Sequence, residues 1–348
     1  MSNKITEKYF SQANFADREE EVLAEVLAKT GFELEKEIFR GVIYQKNKVG
    51  SLIYKGEYQG KPAVLKLQGL KPEVDEAKIL EKFSEQNGSQ KVRLPELFAY
   101  EFFDEKKGYG YLITEYIDAL KIFEMPFAND EEMNDFAEFY QEYRTSALTK
   151  PWLEPENLDV VKFSLDRAEN WQKISESVGR LKKEDYEPYL EKYLEKYLEI
   201  VKKHFADFAM VFSHGHLTAD DVYKMPSGQY VILSNLFWSY RPQWYDLAFN
   251  IWACLLHIRD VGYTFEEMIE YVNKWLDVYR QIPVVKLDPD FDKKIHLLLL
   301  ERTMGSILVD LGAGDFYGEK ENRKYFEYLL SLHQRLFDYL AEKFENHL

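Results

Sequence analysis

A single cysteine, Cys254, in 348 residues leaves no partner for an internal disulfide, so covalent cross-linking cannot hold this fold together. It lies in an apolar helical pattern and reads as a small buried hydrophobe. Long apolar runs are missing as well. None reaches the roughly 18 residues that a membrane-spanning helix needs. The opening stretch MSNKITEKYF has no apolar signal core, which makes the cytoplasm the expected location. Positive charge is in deficit, 45 Lys and Arg against 61 Asp and Glu, for a formal net charge of −16. Such a surface repels phosphate backbones and argues against a nucleic-acid partner. It suits a cationic small molecule, or it serves solubility alone. No Pro/Ser-rich linker divides the chain, and no G-x-G-x-x-G occurs in it.

What remains is a core-forming composition, 46% hydrophobic and 16% aromatic, enough for one large or two modest domains. Asp17 to Lys29 has helical periodicity, with Val22, Leu23, Val26 and Leu27 on one face. Three strand-like runs follow, Glu37 to Tyr44, Ser51 to Tyr58 and Pro62 to Gln68. Lys46 to Gly50 joins the first pair, and Gln59-Gly60-Lys61 is a tight turn. The simplest arrangement is an antiparallel three-stranded sheet. Pro72 to Gln86 then reads as a helix carrying Glu73, Glu76 and Glu81. Leu94 to Phe103 and Tyr111 to Ile117 read as another strand pair.

From there the pattern turns helical, over 130–147, 160–175 and 184–208. The last contains YLEKYLEKYLEI, which places Tyr and Leu on one stripe and Glu-Lys on the other face. Further helices are expected over 249–258, 265–281, 291–311 and 323–344, with Gly312-Ala313-Gly314 as a loop between the last two.

The stretch from Val211 to Ala248 says most about function. Val211-Phe212 is a strand end that runs into Ser213-His214-Gly215-His216 and a polar loop to Asp221. Val222-Tyr223 and Tyr230 to Leu233 flank the turn Pro226-Ser227-Gly228 and read as a hairpin. A second polar loop leads to Tyr245-Asp246-Leu247-Ala248, which opens an apolar helix.

That order resembles the C-terminal lobe of the aminoglycoside phosphotransferase and choline kinase family, whose pattern is HGDLxxxN, a hairpin, an acidic loop and a YDLA-like helix start. His214, Gly215 and Leu217 match the first motif, and Tyr245 to Ala248 the last. The reactive positions depart. The family's catalytic Asp falls on His216, its metal-binding Asn on Asp221, and its metal-binding Asp on Ser234 or Asn235. Lys66 in AVLK resembles the family's phosphate-contacting lysine, and Glu76 in EAKILEKF the glutamate that holds it. By the same resemblance, Gly50 and Ser51 fall in the loop that covers the phosphates. Backbone groups near Glu115, Tyr116 and Ile117 fall where the adenine edge binds. His214 and Asp246 are structural in such proteins. As an N-terminal helix residue, Asp246 is also expected to cap its helix.

The resemblance implies a two-lobed, protein-kinase-like α+β fold. An antiparallel sheet lobe with the Lys-Glu strand and helix precedes a larger, mainly helical lobe. The expected divisions are an N-terminal helical extension over 1–32, a smaller lobe over 33–117 and a helical lobe over 118–348, with the catalytic-loop-like segment at 211–248. ATP or another nucleotide with Mg²⁺ is the implied cofactor. Phosphoryl transfer needs a carboxylate to orient the attacking hydroxyl, and His216 has replaced it. Two kinase readings follow. One is a degenerate, pseudokinase-like protein that binds a nucleotide or small molecule with impaired phosphotransfer. The other is an active ATP-dependent small-molecule kinase using His216 as base, since an imidazole can take a proton near neutral pH, or Asp220 and Asp221 in shifted roles. Asp221, with Asp220 and Ser234 or Asn235, offers at most one hard-oxygen cation site; loop solvation or capping explains the two aspartates equally well. A non-catalytic binding or regulatory module is the third reading. A fourth is an HxH metal hydrolase on His214 and His216. It needs a barrel of alternating strands and helices, and the other histidines, His204, His257, His296, His333 and His347, fall in helical stretches.

Overall fold

Alternating apolar residues build the first part of the chain into a sheet, and longer helical periods build the rest into a helical body. The computed structural model describes residues 15–42, 49–72, 75–147, 159–178, 183–258, 262–311 and 323–345. Lys46 to Lys48, Glu73 and Gly312 to Gly314 lie outside the described residues. The chain divides into two units. One is the described part of Asn3–Leu120 together with Tyr223–Leu236, and the other is that of Lys121–Val222 with Phe237–Leu348.

In the first unit, a 3₁₀ turn, Phe15–Arg18, leads into helix α1, Glu19–Thr30. Glu19, Glu20 and Glu21 occupy its first turn, where the helix dipole favours negative charge, and Gly31 ends it in the left-handed region. Strands β1 (Glu33–Val42), β2 (Val49–Tyr58) and β3 (Lys61–Gln68) follow. The turn between β2 and β3 has positive φ at both Gln59 and Gly60, the geometry that matches strand twist in a two-residue hairpin. Helix α2 spans Glu76–Gln86, strand β4 Val92–Arg93, β5 Leu97–Asp104 and β6 Tyr109–Glu115.

The five long strands form one antiparallel sheet in the order β1-β2-β3-β6-β5. The separate three-stranded sheet and strand pair expected from sequence are therefore one sheet, joined where Lys66 pairs with Leu112 and Leu65 with Ile113. Sequence patterning cannot see such a junction, because it depends on residues some 45 positions apart. Phe15, Val22 and Val26 pack with Leu52, Tyr54, Leu65, Leu67 and Ile113 in one buried cluster. The helix expected as an extension thus contributes to the core of the sheet. The boundary between the units runs through the two-residue strand β7, Leu120–Lys121.

The second unit carries α3 (Asp130–Glu142), α4 (Val160–Val178), α5 (Lys183–His204) and strand β8 (Met210–Ser213). A 3₁₀ turn, Ala219–Asp221, precedes the hairpin β9 (Val222–Lys224) and β10 (Tyr230–Ile232), which turns at Gly228 with φ +82°. β10 pairs in parallel with β4 inside the first unit. Strand β11, Ser239–Pro242, sits in what reads in sequence as a polar loop and pairs antiparallel with β8. The helices α6 (Tyr245–Leu256), α7 (Phe265–Tyr279), α8 (Pro283–Lys286), α9 (Phe291–Gly305) and α10 (Arg323–Glu345) complete the unit.

All twelve residues of α6 are buried, which explains why its pattern is apolar on every side. An aromatic core of Phe136, Phe139, Tyr140 and Tyr143 from α3 meets Trp275 and Tyr279 from α7. Two helices end in π segments, α3 at Tyr143–Ala147 and α9 at Ser306–Asp310. Cys254 is buried in α6, and burial pushes its thiol up to about 12, as an inert core thiol requires. No helix among the described residues is long and apolar enough to cross a membrane.

Candidate functional site

Successive residues of a strand face opposite sides. Ala63, Leu65 and Leu67 of β3 enter the buried cluster, so Lys66 points to the other face. There its Nζ meets Glu76 Oε2 at 2.6 Å, at the first residue of α2. The two side chains are only 13% and 8% exposed, so this is a largely desolvated pair. Gly50 and Ser51 lie at the start of β2. The Gly50 carbonyl accepts the Gly69 amide, and the Ser51 hydroxyl fills the space left by the missing side chain of Gly41 opposite it.

Glu115 ends β6 and accepts both terminal nitrogens of Arg93, at 2.6 and 2.8 Å. Burial works against its charge, yet Arg93 holds the carboxyl below the usual carboxylate range. The amides of Glu115 and Tyr116 already donate, to Glu96 and Pro62 carbonyls. Those two N–H groups are thus committed within the chain, and an adenine edge at this place would meet other backbone groups near Glu115, Tyr116 and Ile117.

In the second unit, β8 leads into the His214-Gly215-His216 segment. His214 is fully buried, its ring edge-on to Trp238. Its amide donates to the Tyr143 hydroxyl at 2.7 Å, which in turn donates to Asp246 Oδ2 at 3.0 Å. Asp246 Oδ1 accepts the Gly215 amide at 2.8 Å. Asp246 therefore braces the loop. It does not cap α6, which starts after Trp244 without a side-chain cap. The reason is position: Asp246 is the second helical residue, and its carboxylate is turned to the Gly215 amide and the Tyr143 hydroxyl, which would otherwise be orphaned in the core. Gly215 has φ +77°, and a Cβ there would lie 2.8 Å from the Phe237 carbonyl oxygen and 2.9 Å from Arg241 Nε.

His216 is 40% exposed on its side chain. Its ring stacks on Phe237 at 4.3 Å and leans on Phe249 at 4.7 Å, while Nδ1 faces Asp221 Oδ2 at 3.4 Å. That same oxygen accepts the Thr218 amide and hydroxyl, at 3.0 and 2.8 Å. Asp220 is outside this turn and pairs with Lys121 at 2.7 Å. In the first unit, Ser234 takes a left-handed backbone with φ +56°, and the buried Asn235 donates its side-chain amide to the Ile232 carbonyl at 3.0 Å.

The donor set fits Mg²⁺ poorly. Asp220 is neutralised by Lys121, and Asp221 spends an oxygen on its own turn. Among the described residues no group of three or more His, Cys, Asp or Glu is placed to hold a metal, and His214 and His216 are not joined by a third ligand.

Several residues of this region carry no motif. Tyr143 and Arg144, from the π end of α3, reach the loop; Arg144 donates to the Phe212 carbonyl at 2.9 Å. Arg302 stacks on Trp252 at 3.8 Å and lies 3.8 Å from Asp310, at the π end of α9. Burial raises the Asp310 carboxyl to about 6, against the pull of Arg302 and His216. The π segment of α3 reaches this loop through Tyr143 and Arg144, a placement visible only in structure.

No protein-family model matches the chain, and no curated protein matches its sequence. Solved structures do. Aminoglycoside phosphotransferase APH(4)-Ia is 9% identical, with 92% of this chain and 97% of that one covered at a TM-score of 0.57. Choline kinase LicA from Streptococcus pneumoniae is 14% identical, with 92% and 98% covered at a TM-score of 0.55. A thermostable mutant of APH(4)-Ia, similar over the same span, was solved in a ternary complex with ADP and hygromycin B. The chain thus has the kinase-like α+β fold of aminoglycoside phosphotransferases and choline kinase.

Proposed function

We propose that this protein binds a nucleotide through the Lys66 strand and that its phosphotransfer is impaired. The observation that carries this reading is the 2.6 Å Lys66–Glu76 pair. A desolvated ion pair contributes little to stability against an apolar replacement, so its presence is better explained by what the lysine holds. In the opposite direction, His216 stands where the family's carboxylate orients the acceptor hydroxyl, and one oxygen each of Asp220 and Asp221 is engaged by Lys121 and Thr218. Nucleotide binding in this reading does not require Mg²⁺.

A thermal-shift titration with ATP and ADP, with and without Mg²⁺, tests it, because a ligand of the folded state raises Tm as its concentration passes Kd. The expected result is a shift that is independent of metal and is lost in Lys66→Ala. No shift at saturating nucleotide, or one unchanged in Lys66→Ala, would sink the proposal. A second reading rests on the 3.4 Å contact between His216 and Asp221, which holds the imidazole as a carboxylate holds a general base. In that case phosphorylation of a small-molecule hydroxyl would occur with Mg²⁺ and vanish in His216→Ala.

A further inference from the structure

A cavity of about 670 Å³ opens in the second unit between the N-terminal ends of α3 and α7. No residue of the His214–Asp221 loop lines it. Three rings form its apolar wall. Phe127 stands at 88° to Tyr271, with centroids 5.4 Å apart, and at 42° to Tyr263, 5.1 Å away. The wall is fixed from behind. The Tyr271 hydroxyl donates to the Pro126 carbonyl at 2.6 Å and accepts the Ala128 amide at 3.2 Å. The Tyr263 hydroxyl donates to the Glu267 carbonyl, and the Tyr263 carbonyl accepts the Tyr328 hydroxyl of α10. Phe127 itself is 44% exposed, so its ring is open to an occupant of the cavity.

The charged lining is predominantly acidic. Asp130, Glu131, Glu267 and Glu270 outnumber the one Lys274; that ammonium is 3.4 Å from Glu270, and Glu267 Oε2 accepts the Thr264 amide and hydroxyl. Two helix N-termini would ordinarily draw an anion. Here their amides are taken: Asn129 Oδ1 accepts those of Glu131 and Glu132, and the Thr264 hydroxyl accepts that of Glu267. Aromatic faces attract cations through their quadrupole, and carboxylates add directional acceptors. A bare metal ion is a poor occupant, because rings supply no oxygen ligands. The carboxylates are spread over two helices and the volume far exceeds one ammonium, so the charge to be matched is also spread.

We propose that this cavity binds a multiply charged organic cation of the aliphatic polyamine type, with methylenes on the three rings and ammonium groups on the carboxylates. The site is independent of the nucleotide reading. Calorimetric titration of the full chain with spermidine tests it. Wild type should bind saturably at one site, Phe127→Ala should weaken binding about tenfold, and Glu270→Gln should weaken it severalfold. Both residues are exposed, so folding should survive, as a melting curve checks. Glu195→Gln, the same charge change on the exposed side of α5, should leave binding unaltered. Non-saturable uptake, indifference to Phe127→Ala, or equal weakening by Glu195→Gln would mean adsorption to an acidic surface and would overturn the proposal.

Discussion

Alanine at Gly215 would meet two penalties at once. The left-handed φ of +77° is strained for any residue with a Cβ, and the new methyl would press on the Phe237 carbonyl and on Arg241. We expect Gly215→Ala to lower stability by about 2–4 kcal/mol, read from urea denaturation. Tyr143→Phe removes one oxygen that serves both the His214 amide and Asp246. Leaving two buried groups short of a partner should cost about 1–3 kcal/mol. If the urea midpoint of Tyr143→Phe equals that of wild type, the relay is not holding the loop. His214, Gly215 and Asp246 were legible in the sequence because a motif spaces them. Tyr143 was not, since it lies 71 positions from the amide it accepts.

At the scale of elements, α1 shows how a helix can be read correctly and its role missed. Its period, acidic first turn and glycine stop are all in the sequence. That Val22 and Val26 close the core of a sheet depends on strands that come later. Each Val→Ala change there should cost about 2 kcal/mol, well above the cost at the exposed Glu20 or Glu21, measured by thermal or urea unfolding. Little or no loss would show that the helix is a dispensable extension. β11 illustrates the reverse case. Ser239-Tyr240-Arg241-Pro242 has no strand pattern, and it becomes a strand because β8 offers it a partner edge.

Across the whole molecule, stability should bend with pH through two buried groups of opposite sense. His333 of α10 is fully buried, and burial pushes its imidazole down from 6.5 to about 4, against the Leu329 carbonyl that Nδ1 faces. Below 6.5 the unfolded chain takes a proton that the folded chain refuses, so this contribution is lost as pH falls toward 4. Asp310 is raised from 3.8 to about 6, first by burial. Its contribution is fully present below 3.8 and is lost as pH rises through 6. Relative to wild type, Asp310→Asn should gain up to about 3 kcal/mol between pH 4 and 7, and His333→Gln should lose the decline below 6.5. Urea melts at half-unit pH steps would read both, and parallel curves for variant and wild type would refute the assignment.

By itself the sequence determined the two-lobed plan, the strand and helix that carry Lys66 and Glu76, and the segment from Val211 to Ala248. The strand and helix rest on local periodicity, and the two-lobed plan rests on the resemblance that the spacing of that one segment carries. Only the tertiary structure decided that Lys66 and Glu76 meet at 2.6 Å, that Asp221 spends an oxygen on Thr218, and that Asp246 braces a loop without capping its helix. It also brought Phe127 beside Tyr263 and Tyr271, more than 130 residues later. The physical reason is the same in each case: which polar groups satisfy one another, and which rings share a wall, is settled by packing between segments distant in the chain.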